Sequence, residues 1–339
     1  MPSAFSILCS GRFLKRASLA SASVRFRLSL RAQRGIRFPL LPYSLAFLAC
    51  SGFLAPQALA PPKRPAISGI AFVRVSVSSV GNARKFYADA LGLPAIGQCW
   101  PESAGQCFFI KPLQEIQISQ LADPQAKNLV AAIGILTAAA GTLRQYFIAN
   151  GLKPGDLESQ PGGAASFDIP DPEGHRLVFI STGGVAGSVL GGSGQVSKDI
   201  IHAGIVVRDR AAEDKFYKDV LGFRVYWHGG MKDDVDNWVD MQVPDGTDWI
   251  EYMLNVPADA SHRTLGVMNH IALGVPDIHA AEQQLLKNGM KPTEEPKIGR
   301  DGKWQLNLYD PDQTRVELME FTPSQKPCCS EYTGPHPKP

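Results

Sequence analysis

Acidic residues are absent from the first quarter of the chain, since residues 1–88 contain neither Asp nor Glu. Residues 1–64 contain ten of the 34 Lys and Arg residues. The remaining body, residues 65–339, therefore holds 24 basic and 32 acidic residues, for a net charge of about −8 although the whole chain is +2. Because no basic stripe is left in the body, its charge argues against nucleic acid as a partner.

A long uninterrupted apolar run is also missing. The apolar run at residues 38–54 is broken by Pro42, and it is too short for a membrane span, so we expect no integral membrane segment. The basic stretch before it and Ala58-Leu59-Ala60 after it are typical of a secretory signal peptide. This predicts a leader over residues 1–60 and an exported protein, periplasmic or extracellular. An organelle transit peptide and a lipid anchor at Cys50 remain open as alternatives.

Cysteines are few, and their spacing excludes a zinc finger. The body keeps four of the six: Cys99, Cys107, Cys328 and Cys329. Cys99 and Cys107 flank a predicted hairpin loop, where a disulfide and two free thiols are equally compatible with the sequence. Cys328 and Cys329 lie in a Pro-rich tail over residues 324–339, where a vicinal or an intermolecular disulfide is the expectation for an exported chain.

A pair of residues recurs in the last third of the chain. His202 and Glu251 are separated by 49 residues, and His270 and Glu317 by 47. Each pair spans the same predicted order: a strand carrying the histidine, a helix, and three strands of which the last carries the glutamate. The helices are predicted at residues 209–221 and 278–287, each followed by a turn with glycine, as is typical of helix ends.

The repeat places four metal-binding side chains in matched positions. Because side chains alternate along a strand, two such units packed into one cupped sheet bring both histidines and both glutamates together. Two imidazoles with one or two carboxylates suit a divalent transition metal, Fe, Mn, Ni, Co or Zn, with open positions for a ligand. The sequence therefore predicts a metal site made of His202, Glu251, His270 and Glu317.

Two segments carry a family resemblance. The strings Phe216-Tyr217-Lys218-Asp219-Val220-Leu221-Gly222-Phe223 and Tyr309-Asp310-Pro311-Asp312-Gln313-Thr314-Arg315-Val316-Glu317 resemble recurrent segments of the vicinal oxygen chelate superfamily. That superfamily includes glyoxalase I, fosfomycin- and bleomycin-resistance proteins, methylmalonyl-CoA epimerase and type I extradiol dioxygenases. The resemblance, over about residues 67 to 322, implies an α+β fold of four βαβββ modules paired into two cupped sheets. It also implies that first-strand and last-strand positions hold the metal.

The first half of the body repeats the same units. Residues 86–93 match residues 216–223, and Asp171-Pro172-Glu173-Gly174-His175 matches the turn before Glu317, so four modules are predicted. The ligand positions are lost there, because Phe72, Gln117, Ala132 and Val178 replace the histidines and glutamates. We expect an N-terminal domain over residues 66–182, a Gly/Ser-rich linker over 183–198, and a metal-binding domain over 199–323.

Three functions remain open at this stage. The ligand set resembles that of bacterial-type glyoxalase I, which implies isomerase or lyase chemistry with Glu317 and Glu251 as catalytic bases. The four-module layout resembles extradiol dioxygenases, but the histidine and tyrosine that the dioxygenase pattern places before the last glutamate have no match here. A non-enzymatic pocket that sequesters a small molecule is the third hypothesis.

The partner predicted by the sequence is a small-molecule substrate that chelates metal through oxygen. Arg315 and Trp249 share their strand faces with Glu317 and Glu251, and Trp304 lies on the preceding strand of the last hairpin. We expect these three residues to contact the substrate. The chain is predicted to be a monomer or a homodimer, because paired modules within one chain can complete the site.

Overall fold

The computed structural model describes residues 62–97, 99–101, 105–159, 163–183 and 191–339. The predicted leader at residues 1–60 and residues 184–190 of the predicted linker lie outside these residues. Among the described helices, none is long and apolar enough to cross a membrane.

Two eight-stranded sheets form the body. The first sheet contains β1 (Ile67–Val77), β2 (Ala95–Ile96), β3 (Gln106–Lys111), β4 (Gln114–Gln120), β5 (Val130–Thr137), β6 (Glu158–Ser159), β7 (Ala165–Pro170) and β8 (Arg176–Ser181). The second contains β9 (Asp199–Val206), β10 (Arg224–Gly229), β11 (Trp238–Gln242), β12 (Trp249–Met253), β13 (His270–Val275), β14 (Lys297–Ile298), β15 (Trp304–Tyr309) and β16 (Arg315–Glu320).

Five helical segments connect the strands within the described residues. They are α1 (Val80–Arg84, continued by a π-helical turn, Lys85–Ala90), α2 (Ala140–Ala149), α3 (Arg210–Asp214, continued by a π-helical turn, Lys215–Val220), α4 (His262–Met268) and α5 (Ile278–Lys287). Asp209 and Asp277 cap α3 and α5, each accepting a hydrogen bond from a backbone N–H of the first turn, which satisfies a donor that the helix itself leaves unpaired.

The two sheets have the same topology. The strand order is β2-β3-β4-β1-β5-β8-β7-β6 in the first and β10-β11-β12-β9-β13-β16-β15-β14 in the second. In each sheet the two central strands run antiparallel, and each pairs in parallel with the last strand of its own module. This arrangement is the predicted one: four βαβββ modules, paired into two curled sheets in an α+β fold.

One apolar core runs through both halves. Residues of β1, β5, β9 and β13 belong to the same buried cluster as Phe86, Phe147 and Phe216 of the helical segments. The halves are also joined by hydrogen bonds: the Gln114 side-chain amide donates to the carbonyls of Ile70 and Ile200, each at 3.0 Å, and accepts from the Ile200 N–H at 2.8 Å. The central strands are thus buried on both faces and fixed in register.

Three local features were not predicted from the sequence. A short helix, α4, precedes the second histidine strand, and Ser261 caps it through the Thr264 N–H. The first strand after α5 has only two residues, Lys297–Ile298. After β16 the C-terminal tail turns back to β10 of the second sheet, where the Thr333 N–H donates to the Tyr226 carbonyl at 3.0 Å.

Both cysteine pairs of the body are bonded. Cys99 is linked to Cys107, with Cα atoms 5.4 Å apart, and Cys328 is linked to Cys329. The sequence left free thiols and intermolecular bonds open as alternatives, and the structure has a disulfide within the chain at both places.

Candidate metal centre

Four side chains from four strands converge at the concave face of the second sheet. The strand pairing sets their positions: Trp249 pairs with His202, Ala272 pairs with both His202 and Glu317, and His270 pairs with Gly204. The structure therefore brings together all four predicted ligands, His202, Glu251, His270 and Glu317.

The donor atoms are spaced like ligands of a common ion. His202 Nε2 and His270 Nε2 are 3.0 Å apart. Glu251 Oε2 lies 3.1 Å from His270 Nε2 and 3.6 Å from His202 Nε2, and Glu317 Oε2 lies 3.5 and 3.7 Å from the same two atoms. When each ligand atom lies about 2.0–2.2 Å from a shared ion, the ligand atoms are farther from one another than from the ion. The separations between the donor atoms given above are of this kind. The residues fit a divalent ion.

An unpartnered buried oxygen supports the same interpretation. Glu251 Oε2 is buried and makes no hydrogen bond, although His270 Nε2 is within 3.1 Å. The two atoms therefore approach without the geometry of a hydrogen bond between them. A buried carboxylate oxygen without a partner costs free energy. The site therefore favours a cation that binds both Glu251 Oε2 and His270 Nε2.

The tautomer of His270 is set by its neighbours. Its Nδ1 lies 2.9 Å from the carbonyl of Met268, and its Nε2 lies 2.7 Å from an Arg315 terminal nitrogen. A carbonyl can only accept and a guanidinium can only donate, so Nδ1 carries the hydrogen and Nε2 holds a lone pair, which accepts from Arg315 here and which a metal ion would take instead. This is the arrangement in which a histidine binds a metal.

Gly204 makes room for the His270 ring. A Cβ atom at position 204 would lie 2.0 Å from His270 Cε1, so only glycine fits on the neighbouring strand. On the other side of the site, the Trp249 ring packs against the His202 ring with centroids 4.7 Å apart. The two imidazoles are therefore held in place by packing as well as by their hydrogen bonds.

The charges of the site favour a cation. Burial and the nearby His270 lower the pKa of His202 well below its usual value, so His202 is neutral. Burial works to raise the pKa of Glu317, but Arg315 and the two histidines outweigh it and hold that pKa at about 2. For His270, burial and Arg315 lower the pKa, while Glu251 and Glu317 raise it above its usual value overall. The same carboxylates that attract a proton stabilise a metal ion.

A small cavity opens beside the four ligands. It is lined by Trp227, Trp238, Asp240, Glu251, Arg300, Asp301, Gln305, Arg315, Glu317 and Met319, with a volume of about 90 Å³. Arg315 lies where the sequence placed it, and its buried Nε has no hydrogen-bond partner. The cavity suits a ligand of a few heavy atoms.

The two tryptophans predicted to contact substrate do not line this cavity. Trp249 is 1% exposed and lies beneath His202. Trp304 belongs to the opposite face of β15, where its ring contacts His279 of α5 at 5.0 Å between centroids. Side chains alternate along a strand, and it is the next residue, Gln305, that faces the cavity. Trp304 therefore lies outside this cavity, and its contact with substrate stays a prediction.

Sequence reasoning missed a buried charged group behind the ligands. Lys303 is 1% exposed, and its ammonium lies over the rings of Trp249, Tyr332 and Tyr226 at 4.7, 5.2 and 5.3 Å from their centroids. Burial lowers its pKa, against the opposing effect of Asp301 and Asp240. A lysine in a glycine-rich loop gives no sequence signal of such burial.

Asp240 and Asp301 were missed as well. Asp240 is paired with Glu251 across β11 and β12, and burial, followed by the Glu251 charge, raises its pKa well above the usual value. Burial also raises the pKa of Asp301 to about 7, with Lys303 opposing the shift. The sequence did contain a signal for Asp240. Polar and aromatic residues alternate along β11 with the buried Val239 and Met241, which places Asp240 on the same strand face as Trp238 and Gln242.

The C-terminal tail covers one side of the site. The Tyr332 hydroxyl donates to the Asp301 carbonyl at 2.9 Å, and the Trp227 indole N–H donates to the Cys328 carbonyl at 3.1 Å. The Cys328 N–H in turn donates to the Arg300 carbonyl at 2.8 Å. The tail thus fixes two segments that line the cavity.

The equivalent place in the first sheet is filled with apolar groups. Phe72 pairs with Gly134, which pairs with Val178, matching the register around His202 and Glu317. Phe72, Ala132 and Val178 form a buried apolar cluster, and the Gln117 side chain accepts from Arg74 at 2.6 and 2.8 Å. These residues offer no metal ligand.

Comparison with known proteins places this geometry in context. The profile of the Glyoxalase/Bleomycin resistance protein/Dioxygenase superfamily matches residues 199–318. No curated protein matches the chain. The chain is similar in structure to the Mn(II)-bound glyoxalase from Novosphingobium aromaticivorans, at 20% identity and a TM-score of 0.56 over 76% of this chain and 83% of the other.

Two dioxygenase structures are similar to the same extent. Homoprotocatechuate 2,3-dioxygenase from Arthrobacter globiformis is 16% identical, with a TM-score of 0.56 over 77% of this chain and 82% of the other. A variant of the Brevibacterium fuscum enzyme is 19% identical, with a TM-score of 0.57 over 83% of this chain and 76% of the other. At these identities the likeness concerns the fold. Together with the repeated sheet topology, it shows that both halves of the body have the vicinal oxygen chelate fold, and the superfamily profile matches the second half, residues 199–318.

Proposed function

We propose that the chain is a metal-dependent enzyme that acts on a small substrate chelated through oxygen atoms at the second sheet. The ligands would be His202, Glu251, His270 and Glu317. The observation that carries this proposal is that one oxygen of each glutamate lies 3.1 to 3.7 Å from both histidine Nε2 atoms, and the buried Glu251 oxygen makes no hydrogen bond. When bound, a divalent ion polarises substrate oxygens and stabilises negative charge on them.

Proton transfer within the substrate, as in a lyase or an isomerase, is the reaction that the surrounding residues support best. Glu251 lines the cavity and makes no hydrogen bond through Oε2, so it can take a proton from a bound substrate. Asp301 lines the same cavity with a pKa raised by burial to about 7, which suits an acid or base that works near neutral pH. Arg315 directs donors at the site and would orient an oxygen of the substrate.

The cavity limits the substrate class. Its volume of about 90 Å³ favours a compact substrate that carries neighbouring oxygens, such as a 2-oxo or 2-hydroxy acid, with Arg315 at the cavity wall to bind its carboxylate. An extended thioester would need the tail to move away from Trp227 and Asp301.

Extradiol-type oxygen chemistry is the second candidate. His202, His270 and Glu317 alone make a two-histidine, one-carboxylate set, with Glu251 then left at the cavity wall. Against it, the described cavity lining contains no histidine or tyrosine to act as acid or base. His228 of β10 does not line the cavity, and its Nδ1 lies 2.8 Å from Asp236 Oδ1.

A pair of assays separates these reactions. The protein, loaded in turn with Mn²⁺, Fe²⁺, Ni²⁺ and Zn²⁺, would be mixed with small 2-oxo and 2-hydroxy acids in D₂O and with catechols under oxygen. Deuterium uptake at the carbon next to the carbonyl, absent in Glu251→Gln, supports proton transfer. Oxygen consumption with ring cleavage supports the second candidate. Tight binding of such ligands without turnover by any metal form would instead favour a sequestering protein.

Export of the chain is part of the proposal. Two disulfides within the body, Cys99–Cys107 and Cys328–Cys329, are typical of proteins that mature in an oxidising compartment. They support the signal-peptide interpretation of residues 1–60, which an N-terminal sequence of the mature protein would test.

A further inference from the structure

A second group of potential ligands, separate from the candidate metal centre, lies at the joint between the two halves. Asp171 and His175 belong to the turn between β7 and β8, and Glu213 belongs to α3. One ligand atom from each of the three lies within 4.8 Å of the others. Asp171 is 4% exposed and Glu213 is fully buried.

Asp171 organises this cluster. Its Oδ1 accepts from the backbone N–H groups of Glu173 and His175, at 3.1 and 2.8 Å. Its Oδ2 lies 2.8 Å from His175 Nδ1 and accepts from the Tyr217 hydroxyl at 3.2 Å. The Glu173 N–H also reaches Glu213 Oε1 at 3.0 Å. The turn between β7 and β8 in the first half therefore contacts α3 of the second half, and these two segments carry the three candidate ligands.

Two buried polar atoms at the cluster lack a partner. Glu213 Oε2 and the Tyr252 hydroxyl make no hydrogen bond, and both side chains are fully buried. Tyr252 belongs to the cluster, because its ring lies 5.8 Å from that of Tyr217 and Glu213 and Asp171 act on it electrostatically. A buried carboxylate oxygen without a partner costs free energy unless a proton or a cation compensates it.

The internal repeat provides a matched comparison. At the related place, the Tyr87 hydroxyl donates to Asp310 Oδ2 at 3.2 Å, as Tyr217 does to Asp171. There, however, Ala83 stands at the position of Glu213 and Thr314 at the position of His175. The tyrosine–aspartate contact therefore forms at the related place without counterparts of His175 and Glu213. His175 and Glu213 are additions that the joint itself does not require.

We propose that Asp171, His175 and Glu213 bind a divalent transition-metal ion that links the two halves of the body. With the ion in place of the hydrogen between His175 Nδ1 and Asp171 Oδ2, one imidazole nitrogen and two carboxylate oxygens form a donor set that zinc accepts. The Tyr252 hydroxyl, or a water, can take a further position. The site is independent of the proposed enzymatic function, since it shares no residue with it.

Zinc binding tests the proposal. The full chain with His202→Ala and His270→Ala lacks the two histidines of the first centre and serves as the starting protein. After treatment with a chelator and dialysis, it would be titrated with Zn²⁺. We expect about one ion per chain, a raised melting temperature, and at least a ten-fold loss of zinc affinity on adding Glu213→Gln or His175→Asn. His279→Ala, which removes an exposed histidine beside Glu282, is the control and should change nothing.

Two results would overturn the proposal. If the starting protein takes up no zinc, the cluster is compensated by a proton alone. If it takes up zinc equally well with and without Glu213→Gln, the ion lies elsewhere. Should Glu213→Gln fail to fold, the Co²⁺-loaded starting protein decides: the absence of absorption bands typical of a nitrogen- and oxygen-bound ion excludes the site.

Discussion

The fully buried carboxyl group of Glu213 makes the stability of the metal-free protein depend on pH. Burial, followed by the charge of Asp171, raises the pKa of Glu213 from 4.5 to about 8. The unfolded chain loses this proton above about pH 4.5, whereas the folded chain keeps it until about pH 8. The folded state therefore holds the extra proton within this window, and stability falls as the pH rises through it.

The expected magnitude follows from the width of the window. The ordinary pKa of the carboxyl group, 4.5, lies about 2.5 units below pH 7. At about 1.36 kcal/mol per unit, Glu213 lowers the free energy of unfolding by about 3 kcal/mol at pH 7. Glu213→Gln keeps the size of the side chain and cannot ionise. We expect the variant to be more stable than the parent by about 3 kcal/mol at pH 7 and by less than about 1 kcal/mol at pH 5.

Urea unfolding in the presence of EDTA measures this difference at pH 5, 6, 7 and 8. Glu282→Gln, on the solvent-facing side of α5, is the control and should follow the parent within about 0.5 kcal/mol. If the curves for Glu213→Gln and the parent run parallel over the whole pH range, Glu213 is ionised in the folded state. The argument from its burial would then be wrong.

Three further predictions concern the candidate metal centre. Gly204→Ala should push the His270 ring aside and weaken metal binding by about ten-fold or more, measured by titration with Mn²⁺; unchanged affinity would mean that His270 is not a ligand. Lys303→Met should destabilise the protein by about 3 kcal/mol in urea unfolding, because it leaves Asp240 and Asp301 without their cation, whereas Lys297→Met on the surface should cost less than about 1 kcal/mol. Asp301→Asn should remove an inflection near pH 7 from the profile of kcat/KM, and a profile that keeps the inflection would assign it to another group.

The fold and the four ligands could be predicted because they leave a periodic trace in the sequence. The intervals of 49 and 47 residues between His202 and Glu251 and between His270 and Glu317 reflect one topology used twice. Parallel pairing of the first and last strands of each module then places each glutamate beside a histidine strand. Alternation along each strand supplies the shared face.

The residues around the ligands could not be predicted in the same way. The burial of Lys303 depends on Tyr332, which reaches it only because the tail folds back and bonds the carbonyl of Asp301. Such a contact joins distant segments and leaves no local pattern. Trp304 shows a related difficulty, since the strand face of an aromatic residue is known only once the register against β16 is fixed.

The π-helical turns show where the sequence was informative only in part. Lys215–Val220 was predicted as part of a helix from its apolar spacing, and Lys85–Ala90 only through its match to that segment; both continue an α-helical turn with a wider one. The wider turns bury Tyr87 and Tyr217, whose hydroxyls reach the aspartates of the opposite half. The spacing alone did not distinguish the two helix types.

The most direct measurement is the metal content of the purified full chain beside that of the His202→Ala/His270→Ala variant, determined by elemental analysis. The account predicts that the variant loses about one transition-metal ion per chain relative to the parent while keeping its fold. Equal metal content in two folded proteins would contradict it, because the four converging side chains would then not hold an ion.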